Sequence, residues 1–379
     1  MKILISLTYF SPHKSGLTVY AERLSSAMAE SGHEVTVLTS RHLPGLPEFE
    51  QTCGVNVIRV PVWFRISKGV LMPGIIWKAW HLVRQADVVN LHIPQFEGGL
   101  LALFAKLNQK RLVVTYQSDL EMPKGIINKV AGAVTGLMNM LAASLADAVV
   151  QMTQDFADHS RFLQKFKTKV QVIPPPIVVE QITGDDLLAF RHKHAISDHQ
   201  VIIGMAARLA SEKGVEYLVE AMGEVLKVHP DARVLFAGEY QNVIGEEVYR
   251  DRIMPMIDYL GKHWSFLGVD SQRDRAAFYK VCNVLVLPSI NNTESLGMVQ
   301  VEALMSGTPV VSTDLPGVRQ PAIQSGFGKV VPIKNSKALA EAILECLQKY
   351  PEKIDASSYT SKFSPQHVAE AYLTLFRSL

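Results

Sequence analysis

Along the chain, short runs of aliphatic and β-branched residues alternate with longer stretches in which apolar positions recur every third or fourth residue. The short runs predict strands at 2–8, 34–40, 55–60, 87–92, 111–117, 147–153 and 170–175, and the longer stretches predict helices at 17–31, 70–85, 98–108, 124–145 and 154–166. Nearly continuous apolar strands with helices between them indicate a parallel sheet covered on both faces. Pro174, Pro175 and Pro176 then stop the pattern. It restarts with strands expected at 201–207, 233–238, 265–268, 284–289, 309–313 and 329–332, and helices at 214–228, 245–261, 271–281, 297–307, 337–349 and 365–378. The fold class is α/β, with two Rossmann-like, doubly wound domains on either side of a rigid proline linker. Such sheets bind ligands outside the carboxyl ends of their strands, so the active site is expected in an interdomain cleft.

The length of 379 residues fits two domains, and a hydrophobic share of 48% gives each half material for a core. A net charge of +2 leaves nucleic acid without an electrostatic warrant. Cys53, Cys282 and Cys346 are widely spaced, which suggests neither zinc nor a disulfide framework and fits a reducing cytoplasm. The opening MKILISLTYF reads as a first strand rather than a secretion signal. Val130 to Ala146 is the longest uncharged run, but Asn139 and Ser144 interrupt it. It is expected to be a buried helix and not a membrane span.

Candidate chemistry concentrates in ESLGMVQVE, where Glu294 and Glu302 lie on either side of a predicted helix start at Gly297. A helix start attracts anions through its unpaired N–H groups and its dipole. Carboxylates repel a phosphate, so these two are better suited to accept bonds from hydroxyls on each side of one. A sugar, a diphosphate and a ribose in line would fit. Taken alone, the pair is equally a solvent-facing Glu at each end of an amphipathic helix. The loop GMAARLASEKG follows a predicted strand and carries Arg208 and Lys213, cations suited to a diphosphate or simply solvated charges. In the first half, Gly16 in YFSPHKSGLTVY permits close backbone approach, and His13 reads as a surface histidine. His92 and Gln95, at the end of the strand in LHIPQFEGG, are candidates to touch an acceptor, and Glu97 either joins them or favours a helix start.

These motifs resemble those of the retaining GT-B glycosyltransferases of the group 1, or GT4, family, over essentially the whole chain. The acidic pair precedes an A-x-x-x-G-x-P-V-V run, and Arg208 to Gly214 fit G-R-L-x-x-x-K-G except that Ala207 replaces the first glycine. The resemblance implies an acceptor-binding domain at 1–175, with residues 365–379 packing back on it, and a nucleotide-sugar donor domain at 176–364. It implies that Arg208 and Lys213 hold the donor diphosphate, that Glu302 binds the ribose and that Glu294 reaches sugar hydroxyls. The amides of Leu296, Gly297 and Met298 would complete the phosphate site. The implied mechanism is retaining and metal-independent, needs no cofactor, and has the leaving phosphate assist departure of the acceptor proton. VVTYQSD resembles the family's V-V-T-x-H-S-D but has Gln117 for His, and Gln cannot take up a proton at neutral pH. Asp119 is an acceptor or base candidate, or an N-cap or turn aspartate. Ser15 and Thr18 also depart from the family's loop, which commonly has two glycines and then a Glu.

Residues 63–84 mix Trp63, Phe64, Trp77 and Trp80 with Arg65, Lys68, Lys78 and Arg84, which suits either peripheral contact with anionic lipid or a helix packed on its sheet. The expected function is transfer of a hexose from a donor of the UDP-glucose or GDP-mannose type to a hydroxyl of a lipid or carbohydrate acceptor. The expected setting is the cytoplasm, with the inner membrane face as a peripheral site. The alternatives are another GT-B activity such as nucleotide-sugar epimerisation, and a catalytically silent nucleotide-sugar binding protein. A dinucleotide oxidoreductase is disfavoured because no G-x-G-x-x-G follows a predicted strand.

Overall fold

The computed structural model describes residues 1–66, 69–120, 125–243, 245–268 and 271–379. The chain divides into two compact units, Met1–Ile177 with Lys362–Leu379, and Val178–Ser361.

The first unit contains strands β1 (Lys2–Ser6), β2 (Glu34–Arg41), β3 (Phe49–Thr52), β4 (Val55–Pro61), β5 (Phe64–Ile66), β6 (Gly69–Leu71), β7 (Val88–Ile93), β8 (Arg111–Tyr116), β9 (Ala148–Gln151) and β10 (Val170–Val172). Its helices are α1 (Gly16–Glu30), α2 (Ile75–Gln85), α3 (Gly98–Leu107), α4 (Ile126–Leu145) and α5 (Gln154–His159). The main sheet runs β10-β9-β8-β7-β1-β2-β4-β3, parallel except for β3, and the order reverses between β1 and β7. β7 is buried along its whole length, as a central strand covered on both faces must be.

The second unit contains β11 (Ile202–Ala206), β12 (Arg233–Ala237), β13 (Trp264–Gly268), β14 (Val284–Leu287), β15 (Val310–Thr313) and β16 (Gly328–Val331). Its helices are α6 (Gly184–Lys193), α7 (Val215–Val228), α8 (Glu247–Leu260), α9 (Gln272–Val281), α10 (Met298–Met305), α11 (Gln320–Ser325), α12 (Ser336–Lys349) and α13 (Ser357–Thr360). Its sheet runs β13-β12-β11-β14-β15-β16, all parallel, and reverses between β11 and β14. Both sheets therefore have a point where ligands bind in doubly wound folds.

The last helix, α14 (Pro365–Ser378), belongs to the first unit and packs on α1. Ser364 caps it and Pro365 supplies its first turn, the favoured chemistry for a helix start. The hydroxyls of Tyr20 and Tyr372 lie 2.7 Å apart, that of Tyr372 is 3.0 Å from Thr115 Oγ1, and Thr115 donates to Asn90 Oδ1 at 2.9 Å. This buried chain of polar groups ties both helices to β8 and β7.

Several elements differ from the sequence expectations. The helix expected at 154–166 breaks at Ser160, whose hydroxyl donates to Asp119, so a tertiary contact overrides local periodicity. The helix expected from residue 70 begins at Ile75, because Gly69–Leu71 pair with Phe64–Ile66 as a hairpin. Helix α6 was not anticipated, although Thr183 and Asp186 form a capping box that announces it. The helix expected to be buried at 130–146 is buried on one side only: in α4, Asn139, Ala142 and Ala143 face the interior while Val130, Val134, Leu137 and Leu141 are exposed. Among the described residues no helix is long and apolar enough to cross a membrane.

Candidate functional site

In the second unit, β11 ends at the reversal point and leads through Ala207 to Arg208, Leu209 and a single 3-10 turn, Ser211–Lys213. Gly214 follows in the left-handed region at φ +62°, and a Cβ there would collide with the Pro288 carbonyl. That close approach brings the turn against the loop after β14, where the Ile290 N–H donates to the Glu212 carbonyl at 3.0 Å. From the other side, Glu246 accepts from the Ser211 N–H at 3.0 Å and the Glu239 carbonyl from the Leu209 N–H at 2.8 Å. The cation-bearing loop is thus clamped by two neighbouring loops.

The clamp delivers Lys213 to Glu294. Its Nζ donates to Glu294 Oε2 at 2.5 Å, while the Gly297 N–H donates to Glu294 Oε1 at 3.1 Å. Gly297 is the N-cap of α10 at φ +74°, where a side chain would strike Leu287 and Gln300. The side chains of Lys213 and Glu294 remain 16% and 22% exposed, and Arg208, 38% exposed, donates to Glu212 Oε1 at 3.4 Å. Lys213, Glu294 and the start of an eight-residue helix therefore meet where strand order reverses, and Arg208 lies on the same loop as Lys213, paired with Glu212. Of the three amides expected to face a phosphate, that of Gly297 donates to Glu294. Leu296 is buried, and Met298 opens the helix. Glu302, one turn on, is 5% exposed and accepts from Tyr279 Oη at 2.7 Å.

The first unit arranges its predicted residues differently. Gly16 opens α1 and is exposed, but Ser15 is the N-cap, accepting from the Thr18 N–H at 3.3 Å, and the two hydroxyls lie 2.9 Å apart. Those two residues serve the helix. The loop before them is held by Arg59, 2% exposed, which pairs with Glu50 at 2.7 Å and donates to the Ser11 carbonyl at 2.9 Å. His13 packs against the rings of Tyr9 and His42.

His92 and Gln95, expected to be open to an acceptor, are 0% and 2% exposed. Gln95 Nε2 donates to Ser6 Oγ at 3.1 Å across the reversal point, and its backbone N–H donates to Asn139 Oδ1 at 3.1 Å. Gln117 is turned inward as well, 6% exposed, with Nε2 3.1 Å from His92 Nδ1. An amide nitrogen only donates, so His92 accepts at Nδ1 and carries its proton on Nε2. Burial pushes the pKa of His92 down to about 3, which keeps the ring neutral. Asp119 accepts from Tyr116 Oη at 2.7 Å and Ser160 Oγ at 2.6 Å, so it joins the end of β8 to the segment after α5 and caps no helix. Glu97 takes the N-cap position of α3 without a capping bond. Burial raises its pKa to about 7, its own N–H and Gln95 draw it partly back, and neither carboxylate oxygen has a well-aligned partner.

Residues 15–176 match the family described as glycosyl transferase 4-like domain, and residues 188–363 match glycosyl transferases group 1. The chain belongs to the group 1 glycosyltransferases of GT4 type. It is similar to alpha-monoglucosyldiacylglycerol synthase of Streptococcus pneumoniae, with 24% identity over 92% of this chain and 78% of that one. Among solved structures it resembles sucrose-phosphate synthase from Thermosynechococcus elongatus, at TM-score 0.78 and 19% identity over 100% of this chain and 98% of the other. It also resembles Anabaena HepE in complex with UDP, at TM-score 0.76 and 18% identity over all of both chains. The fold is GT-B, and the protein is a glycosyltransferase.

Reading motifs alone missed three residues of this glycosyltransferase: Glu246 and Tyr279, which position the second-unit site, and Arg59, which holds the first-unit loop. Glu246 and Tyr279 reach the site from 35 and 23 residues away in sequence. No local spacing signals such a contact. Arg59 left one sign, a lone cation inside the apolar run VNVIRV.

Proposed function

We propose that this glycosyltransferase moves a hexose from a nucleoside-diphosphate sugar to a hydroxyl of a lipid or carbohydrate acceptor, with retention and without a metal. The second unit binds the donor and the first unit serves the acceptor. The meeting of Lys213, Glu294 and the start of α10 carries this reading. An arriving diphosphate competes with Glu294 for the Lys213 ammonium, and Arg208 adds a second cation. Freed from Lys213, the Glu294 carboxylate accepts from a sugar hydroxyl, and Glu302 accepts from the ribose. The bond from the anomeric carbon to the phosphate oxygen breaks while the acceptor oxygen bonds to the same face. The acceptor proton passes to the departing phosphate. The leaving group gains charge, which Lys213 and Arg208 stabilise. HepE in complex with UDP supports a donor of the UDP type, and the name of the S. pneumoniae relative supports a lipid acceptor.

Thermal-shift titration with UDP-glucose and GDP-mannose, followed by NMR assignment of the product's anomeric configuration, tests the reading. A stabilising donor, a retained anomer and activity that persists in EDTA are expected. An inverted product sinks the mechanism. The inward Gln117 favours a second reading, a silent donor-binding protein. That protein would be stabilised by donor yet transfer to no acceptor, and Gln117→His would restore turnover.

A further inference from the structure

Helices α2, α3 and α4 lie side by side in the first unit, α2 against α3 and α3 against α4, and β5 packs on α4. No Asp or Glu occurs in any of the three, which carry Lys78, Arg84, Lys106 and Lys129. Ile126, Val130, Val134, Leu137 and Leu141 of α4 are 84%, 60%, 38%, 64% and 37% exposed. At about 100° per residue they fall within an arc of about 80° and form a stripe about 22 Å long. The opposite side of α4, with Asn139, Ala142 and Ala143, faces the interior. Trp77 on α2 and Trp63, just before β5, are 80% and 72% exposed. Five large apolar side chains in the open along one helix are costly to leave in water.

The surrounding charge says what covers it. Lys78 and Lys106 pair with Glu48 and Asp147 at the margin, and Arg65, Arg84 and Lys129 are exposed, so the face is net positive. Exposed apolar side chains on neighbouring helices that carry cations and no acid, together with exposed tryptophans, match the boundary between anionic headgroups and acyl chains.

We propose that this face docks on an anionic membrane surface, with α4 lying in the plane of the interface. The partner extends the lipid arm of the proposed function, yet docking stands or falls apart from donor binding. The face is wider than residues 63–84, the segment singled out in the sequence, and α4 is its largest element. Lys68 of that segment lies outside the described residues.

Flotation of the full chain with vesicles of phosphatidylcholine and phosphatidylglycerol in equal parts, against phosphatidylcholine alone, tests the proposal. The protein is expected to float with the mixed vesicles. Leu137→Glu and Trp77→Ser, on separate elements and both exposed, should each weaken binding about tenfold or more. Lys129→Glu should weaken it at least about fivefold. Circular dichroism and the donor thermal shift should be unchanged in all three. Failure of the folded native chain to float, or equal flotation of the native chain and both apolar variants, overturns the proposal. So does a dimer in light scattering that Leu137→Glu dissociates while vesicles bind nothing. Absence of any donor response with flotation intact would instead overturn the proposed function and leave the docking face standing.

Discussion

The two units reverse strand order at equivalent places, between β1 and β7 in one and between β11 and β14 in the other, yet they furnish those places oppositely. In the second unit the loops bring Lys213 to Glu294 and leave Arg208 paired with Glu212, all partly open to solvent. In the first, the residues at and beside the reversal point are neutral or buried: Gln95 on Ser6, Gln117 on His92, and Glu97 raised towards neutrality. One topology thus supplies a charged candidate site in one unit and a cluster of buried, neutral polar groups in the other. The fold decides where a site can be, and the side chains decide whether it holds charge.

Exchange of effects between the units would break this contrast. Lys213→Ala should lower kcat/KM about 10³-fold in a transfer assay with the preferred donor, since it removes a fixed cation facing the leaving group. Gln95→Ala should leave donor affinity unchanged. An equal loss of affinity in the two variants would make the first unit a donor site as well.

Gly297→Ala comes next. With φ at +74° and Leu287 against the Cβ position, it should cost about 3 kcal/mol in urea unfolding and abolish the donor thermal shift. Unchanged stability would mean that the helix start can rearrange.

The first unit should answer to pH. Glu97, raised from 4.5 to about 7 by burial, binds more protons folded than unfolded between those values, so its contribution to stability is lost as pH rises through that window. Glu97→Gln should therefore raise stability by up to about 3 kcal/mol at pH 8, read as the shift in urea midpoint, and by little at pH 4. His92 works the other way: lowered from 6.5 to about 3, its folded form resists protonation, and stability falls as pH drops below 6.5. A flat urea midpoint between pH 4 and 8 in both native and variant proteins would contradict this assignment.

Tyr372→Phe should have the smallest effect, about 1 kcal/mol in the urea midpoint, because it removes one hydroxyl from the chain linking Tyr20 to Thr115. Donor affinity should not move. A larger loss confined to catalysis would place α14 in the reaction rather than in the scaffold.

Much of this architecture was legible in the chain. Apolar runs such as IIGMA and VVNLHI report burial on both faces, and the strands they predict are present as β11 and β7. Lys213 and Glu294 were singled out because their segments resemble the family's motifs, and their side chains do meet. The first-unit candidates were misplaced for a physical reason. A polar residue at the end of a strand can turn outward to a ligand or inward to a partner, and His92 and Gln117, 25 residues apart, choose each other.

The sequence by itself determined the alternation of strands and helices, the break at the three prolines, and which residues carry charge near the start of α10. All of these depend on backbone propensity and on neighbours within a turn or a loop. Only the tertiary structure decided that Lys213 meets Glu294, that Glu246 and Tyr279 hold their segments in place, and that α4 exposes an apolar stripe while its other side faces the interior. Periodicity records how apolar a helix face is, whereas the elements packed against that face decide whether water reaches it.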